Sequence, residues 1–144
     1  MNYVRSSAKE MALHQEMLDI IETLMPVNST VEEWLDYLDE HESVWKVVDG
    51  EEVLGFYTLR LEQFFGEGHA YFFRAKRRHS FAISRMMIAH VKSLGRIPKT
   101  TATSDFPHVV KFLKMLGFTQ VGVEQGGIIK PKGPVDVIYL MYLN

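Results

Sequence analysis

Arg74, Lys76, Arg77 and Arg78 crowd a short stretch between an aromatic run and a helical pattern. The run His69-Ala70-Tyr71-Phe72-Phe73 has the aromatic content, and the freedom from Gly and Pro, of a strand. Past the cations, Ser80 is placed to cap a helix, with Phe81, Ala82, Met86, Ala89 and Leu94 at spacings near three and four predicting its core-facing side. A strand, a basic turn and a helix start together make a natural anion site. Free amides and the positive end of the helix dipole point outward there, and guanidinium groups add full charge. The sharper reading of this junction is a diphosphate cradle. A solvated turn accounts for the same charges.

Those residues need a scaffold, and the chain supplies one. Its 144 residues suffice for one domain, 1–144, with a sizeable core. With 47% hydrophobic residues and a net charge of −2, the chain is no polybasic binder of nucleic acid or membrane surfaces. It has no Cys, which excludes disulfides and thiolate metal sites, and no apolar run long enough to span a bilayer. A cytoplasmic location is therefore expected.

Residues 2–5 predict a short strand. Ser6 or Ser7 opens a helix with Met11, Leu13, Met17, Leu18, Ile21 and Leu24 mostly on one stripe, and Pro26 stops it. Thr30 and Glu33, at capping-box spacing, open a second helix that buries Trp34, Leu35 and Leu38. A hairpin follows over 45–48 and 53–61 around Asp49-Gly50. Gly66 and Gly68 predict the next turn, ahead of the strand at His69. Gly95 closes the central helix, and 98–103 form a Thr-rich strand. Ser104 or Asp105 caps a helix that turns Val109, Phe112, Leu113 and Leu116 inward and ends at Gly117. A strand over 118–123, a turn-rich 126–134 and a last strand over 135–142 complete a mixed α/β (α+β) sheet flanked by helices.

This order resembles the GNAT superfamily of acyl-CoA-dependent N-acyltransferases. Its strongest motif is Gln or Arg, two residues, Gly, one residue, then Gly or Ala; here it is matched at both ends by Arg77-Arg78-His79-Ser80-Phe81-Ala82, with Ser80 at the central Gly. The segment Phe112-Leu113-Lys114-Met115-Leu116-Gly117-Phe118 is similar to the family's late-helix signature, with Leu113 at its Tyr. The wording of Ala75-Lys76-Arg77-Arg78 and of 108–117 is similar to small GNAT-like proteins of tailed bacteriophages.

The resemblance implies a mostly antiparallel sheet whose fourth and fifth strands splay apart, and acetyl-CoA as cosubstrate. Amides from Arg78 to Ala82, including those of His79, Ser80 and Phe81, would hold its pyrophosphate, with charge from Arg77 and Arg78. Exposed amides of Phe72 and Arg74, around Phe73, would meet its arm. Transfer to an amine then needs a base. Glu67 and His69 stand at the start of the fourth strand, where the family often places one. A solvated position in the turn Gly66-Glu67-Gly68 is the plainer reading of Glu67, whereas the imidazole of His69 has an ordinary pKa near 6.5 suited to the task.

Other chemistries are poorly supported. The His residues lack close ligand spacing, so no metal is expected, and Ser80, His108 and Asp105 lack a nucleophile elbow. Tyr71, Phe72 and Phe73 beside cations are compatible with base stacking, but alternation commits at least one strand face to core. The leading expectation is an N-acetyltransferase acting on an unidentified amine. Its alternative is a GNAT-fold phage protein without turnover, in the virion or host cytoplasm, with a phage or host protein as partner. The acidic stretch 32–42 reads as a solvated helix face, and the final apolar strand is available for pairing across a homodimer.

Overall fold

Alternation along the strands sends successive side chains to two helical layers, and the sheet between them holds every strand of the chain. The computed structural model describes residues 1–144. In chain order the elements are β1 (Asn2–Ser6), α1 (Ala8–Met11), α2 (Gln15–Leu24), α3 (Val31–His41), β2 (Ser43–Asp49), β3 (Glu52–Leu61) and β4 (Phe65–Phe72). A 3-10 turn (Arg74–His79) follows, then α4 (Ser80–Ser93), β5 (Ile97–Thr103), α5 (Pro107–Leu116), β6 (Thr119–Lys130) and β7 (Gly133–Met141). The strand order is β1-β2-β3-β4-β5-β7-β6, and only the β4–β5 pairing is parallel. This is the expected mixed sheet.

On one face, α1 to α3 bury Met11, Met17, Ile21, Leu35 and Leu38 against Val44, Phe56 and Tyr71. On the other, α4 sets Ile83, Met87 and Val91 on Val47, Leu54, Tyr57 and Leu59. A third cluster joins Leu113 and Leu116 of α5 to Ile88, Ala102 and Leu140. Each half of the sheet therefore has its own packing beneath it. Between the halves, β4 and β5 pair only at Phe65–Ile97, Gly66–Pro98 and Glu67–Lys99. Beyond that, β4 stays on β3 as far as the Gly55–Phe72 pair, while β5 stays on β7 as far as Thr103–Val137. The two strands splay, and a wedge-shaped gap opens.

Several sequence expectations need correction. Gly66 and Gly68 are not a turn; they lie inside β4, paired with Leu61 and Leu59. Their role is to admit α4, since a Cβ at Gly66 would stand 2.6 Å from Val91 Cγ1 and one at Gly68 would stand 2.7 Å from Met87 Sδ. That close seat rotates α4 relative to the expected stripe. Ile83, Met87 and Val91 are buried, whereas Ala82, Ala89 and Leu94 are exposed. The first helix is two: a turn after Met11 lets Met11 and Met17 both face the core and turns Leu13 out, 84% exposed.

The span 126–134 is mostly strand, because Ile128, Ile129 and Lys130 pair with Val135, Pro134 and Gly133. Ser104 and Asp105 do not cap α5. Ser104 Oγ accepts from the Asp136 N–H, Asp105 pairs with Lys130, and Pro107 opens the helix after Phe106. Finally, β7 lies between β5 and β6, so its backbone is already paired and cannot extend a sheet into a second copy. The edges belong to β1 and β6, and two register shifts interrupt the β6–β7 ladder.

The seating of α4 on β4 is testable by overpacking. Gly66→Ala should lower the free energy of urea unfolding by about 1–3 kcal/mol, because stiff, branched Val91 cannot yield. Gly68→Ala should cost less, since unbranched Met87 can swing aside.

Candidate functional site

From Gly68 onward β4 has no strand partner on its β5 side, so backbone groups on that edge are free of the ladder. The chain then tightens into the 3-10 turn, and Lys76 N–H donates to Phe73 C=O at 3.0 Å. Ser80 does not cap α4. It is already helical, at φ −58° and ψ −43°, and its N–H donates to Arg77 C=O. His79 occupies the cap position without a side-chain bond. The amides of Phe81 and Ala82 thus head α4, with that of Ser80 engaged in the preceding turn.

Of the four cations, Lys76 is committed to an ion pair with Glu52. Arg74, Arg77 and Arg78 are exposed and have no carboxylate partner. The turn therefore presents three free guanidinium groups beside the end of β4. Rings from three elements meet there as well: Phe72 lies edge-on to Phe112 at 5.9 Å, and Phe81 lies 5.0 Å from Phe112. Leu113 is buried in the α5 cluster and presents no polar atom to the gap.

His69 and Glu67 lie on the opposite face of β4 from Gly66 and Gly68, under the α1–α3 layer. Glu67 is not a solvated turn residue. Its carboxylate Oε2 is 3.0 Å from His69 Nε2, and the side chains are only 22% and 27% exposed. Burial by itself depresses an imidazole pKa, but the hydrogen bond and charge of Glu67, helped by the charge of Glu42, outweigh it, so His69 titrates above 6.5. The bond to His69 in turn holds Glu67 below 4.5 against the opposing effect of burial. With Nε2–H donated to Glu67, the neutral ring keeps its lone pair on Nδ1, 3.5 Å from Thr100 Oγ1 across the gap.

More polar groups surround this pair than sequence reasoning found. Thr58 and Arg60 of β3 stand in register with His69 and Glu67. The guanidinium of Arg60 donates to the Tyr37 hydroxyl on α3 and lies 5.8 Å from that ring's centroid. Tyr71 is buried, and burial, with the charge of Glu42, drives its phenol pKa upward. The available signal was Thr58 and Arg60 at every second place of an apolar strand, but only the β3–β4 register assigns them to His69 and Glu67. On the same face, past Lys99, an open depression of about 380 Å³ is lined by Phe65, Lys99, Thr100, Val121, Tyr139 and Met141.

No protein-family model matches the sequence, and no curated protein sequence does. Solved structures do share the fold. An N-acetyltransferase from Staphylococcus aureus Mu50 is 13% identical with a TM-score of 0.73, over 98% of this chain and 96% of that one. An acetyltransferase of the GNAT family from Streptococcus pneumoniae gives 13% and 0.64, over 97% and 96%. A Salmonella typhimurium protein solved with its cofactor acetyl-CoA gives 11% and 0.70, over 97% and 91%. At such identities the likeness is one of fold: the chain has the GNAT fold, along nearly its whole length.

NMR titration of the imidazole rings tests the pairing directly. His69 should titrate above 6.5 in the wild type and at lower pH in Glu67→Gln, where only the charge of Glu42 still opposes burial. The raised folded value also means that this group's contribution to stability is complete below pH 6.5. It fades as pH rises through that value.

Proposed function

We propose that the protein is an acyl-CoA-dependent N-acetyltransferase that uses acetyl-CoA as cosubstrate and a primary amine as acceptor. The observation that carries this reading is the parting of β4 and β5 after Glu67 and Lys99, with three unpaired arginines at the turn that follows. The residues fit such a group. An amide-bearing arm can pair with the unladdered edge of β4 between Gly68 and Arg74, around Phe72 and Phe73, and a pyrophosphate can meet Arg74, Arg77 and Arg78 at the head of α4. Within the motif, Phe81 and Ala82 offer their amides more readily than Ser80, which is already bonded.

The thioester supplies the acyl group: the amine nitrogen bonds to its carbonyl carbon, the carbon–sulfur bond breaks, and the second proton that the nitrogen sheds goes to the departing thiolate. His69 is the base. Glu67 fixes the tautomer by accepting from Nε2–H, so that Nδ1, facing the gap, removes the proton from the incoming ammonium. Glu67 also stabilises the imidazolium that results. The depression beside Lys99 gives an acceptor a route to this face.

A second reading has one observation behind it. Leu113 occupies the position of the family's proton-donating Tyr and is buried in core, so the thiolate leaves without help from that residue. A GNAT-fold protein without turnover, of phage origin and engaged with a phage or host protein, is consistent with it.

Calorimetric titration with acetyl-CoA separates the two. Saturable binding is expected, weakened at least ten-fold by Arg77→Glu with Arg78→Glu, since charge-assisted contacts contribute about 1.5–3 kcal/mol each. Undetectable binding would leave the non-catalytic reading standing. If turnover is measured, the acidic limb of the rate profile should lie above pH 6.5 and move to lower pH in Glu67→Gln; His69→Ala should abolish that limb.

A further inference from the structure

The net charge of −2 conceals a separation of charge. Between Ala8 and Glu67 the chain carries fifteen of its 18 Asp and Glu. Between Gly68 and Val123 it carries ten of its 16 Lys and Arg and one carboxylate, Asp105. The fold sends these two spans to opposite sides of the sheet. α2 and α3 expose Asp19, Glu22, Glu32, Glu33, Asp36 and Glu40 on one side. On the other side α4 and α5 pack together, with Phe81 5.0 Å from Phe112 and Ile88 in one cluster with Leu113 and Leu116. The acidic half therefore does not neutralise the basic one.

The outer faces of α4 and α5 bear Arg85, Lys92, Lys111 and Lys114, all exposed and none paired with a carboxylate. Arg85 lies 5.9 Å from the centroid of the Phe81 ring and Lys92 lies 4.6 Å from that of Tyr142, contacts that leave both charges uncompensated. Asp105 is itself taken by Lys130. The three free arginines of the 3-10 turn continue the same run of charge past the head of α4.

What this face lacks selects its partner. Between its cations α4 exposes Ala82 and Ala89, and α5 exposes one large apolar side chain, Met115. A protein interface is built on an apolar core from which Lys is depleted, and a helix lying on a membrane sinks bulky apolar side chains into lipid. Neither feature is present. A phosphodiester chain requires neither, because charge neutralisation and counterion release supply its affinity.

We propose that the outer faces of α4 and α5 bind the phosphate backbone of a nucleic acid, without reading its sequence. The surface is separate from the acyltransferase reading and does not depend on it, since its four helical cations are not those offered to a pyrophosphate.

Fluorescence anisotropy with labelled duplex DNA and single-stranded RNA of about 20 nucleotides decides the matter, beside poly-L-glutamate and phosphatidylserine vesicles as other polyanions. Wild-type protein should bind at least one oligonucleotide saturably at 50 mM KCl, and the tighter of the two identifies the form it takes. Affinity should fall roughly fifty- to 150-fold between 50 and 200 mM KCl, the response of four neutralised phosphates. Arg85→Gln with Lys92→Gln, and Lys111→Gln with Lys114→Gln, should each weaken binding at least ten-fold. Each pair should also lower the slope against log salt by about 1.5–2, with the melting temperature unchanged. No oligonucleotide binding at 50 mM KCl, or binding that neither pair of substitutions weakens, would overturn the proposal. So would poly-L-glutamate or vesicles binding at least as tightly as the oligonucleotides, which would assign the face to an acidic protein or a membrane. Self-association in sedimentation that the same substitutions reverse, without oligonucleotide binding, would assign it to the acidic layer of a second copy.

Discussion

β4 and β5 part after three shared pairs, and from there each keeps only the neighbour on its other edge. β4 follows β3 to its last residue and β5 follows β7, and the two halves rest on different helical clusters. Their three shared pairs hold the sheet in one piece. Past these, the twist of each half carries the strands apart. The result is an unladdered backbone edge in the middle of the molecule, which ordinary sheets avoid and which a ligand with amides of its own can satisfy. The glycines at 66 and 68 secure the geometry from below by drawing α4 tightly under β4.

The polar chemistry is laid along the same strand by alternation alone. Small residues at 66 and 68 face α4, while Glu67 and His69 face the other layer, where Thr58 and Arg60 of β3 flank them. Short-range pairing sets the protonation of this group, with Glu67 lowered and His69 raised. Nearby, Glu42 holds a carboxylate oxygen, closed to solvent, that no protein group satisfies. Stability is surrendered there, in a sheet whose other buried positions are largely well-packed hydrocarbon.

Much of the architecture was legible in the sequence. The hairpin turn at Asp49-Gly50, the capping box from Thr30 to Glu33 and the helix stop at Gly117 are local signals that act over a few residues, and the structure keeps them. Errors arose where tertiary contact decides. Gly66 and Gly68 look like punctuation until a helix is known to lie on them. Ser80 looks like a cap until the preceding residues are seen to wind as a 3-10 turn and engage its amide. The buried stripe of α4 lies a fraction of a turn from the one its spacing predicts, because the helix seats on Gly66 and Gly68. In the site, Glu67 and His69 could be nominated because they sit on one strand. Thr58 and Arg60 reach them across a strand pairing, and no spacing along the chain reports that.

Backbone hydrogen exchange on addition of CoA probes the gap most directly. Amides between Gly68 and Arg74, together with those of Phe81 and Ala82, are expected to slow markedly on binding, while those of β1 and β2 keep their rates. Unchanged exchange across Gly68 to Arg74 in the presence of saturating CoA, or new protection confined to β6 and β7, would contradict the assignment of the splayed strands as the cofactor cleft.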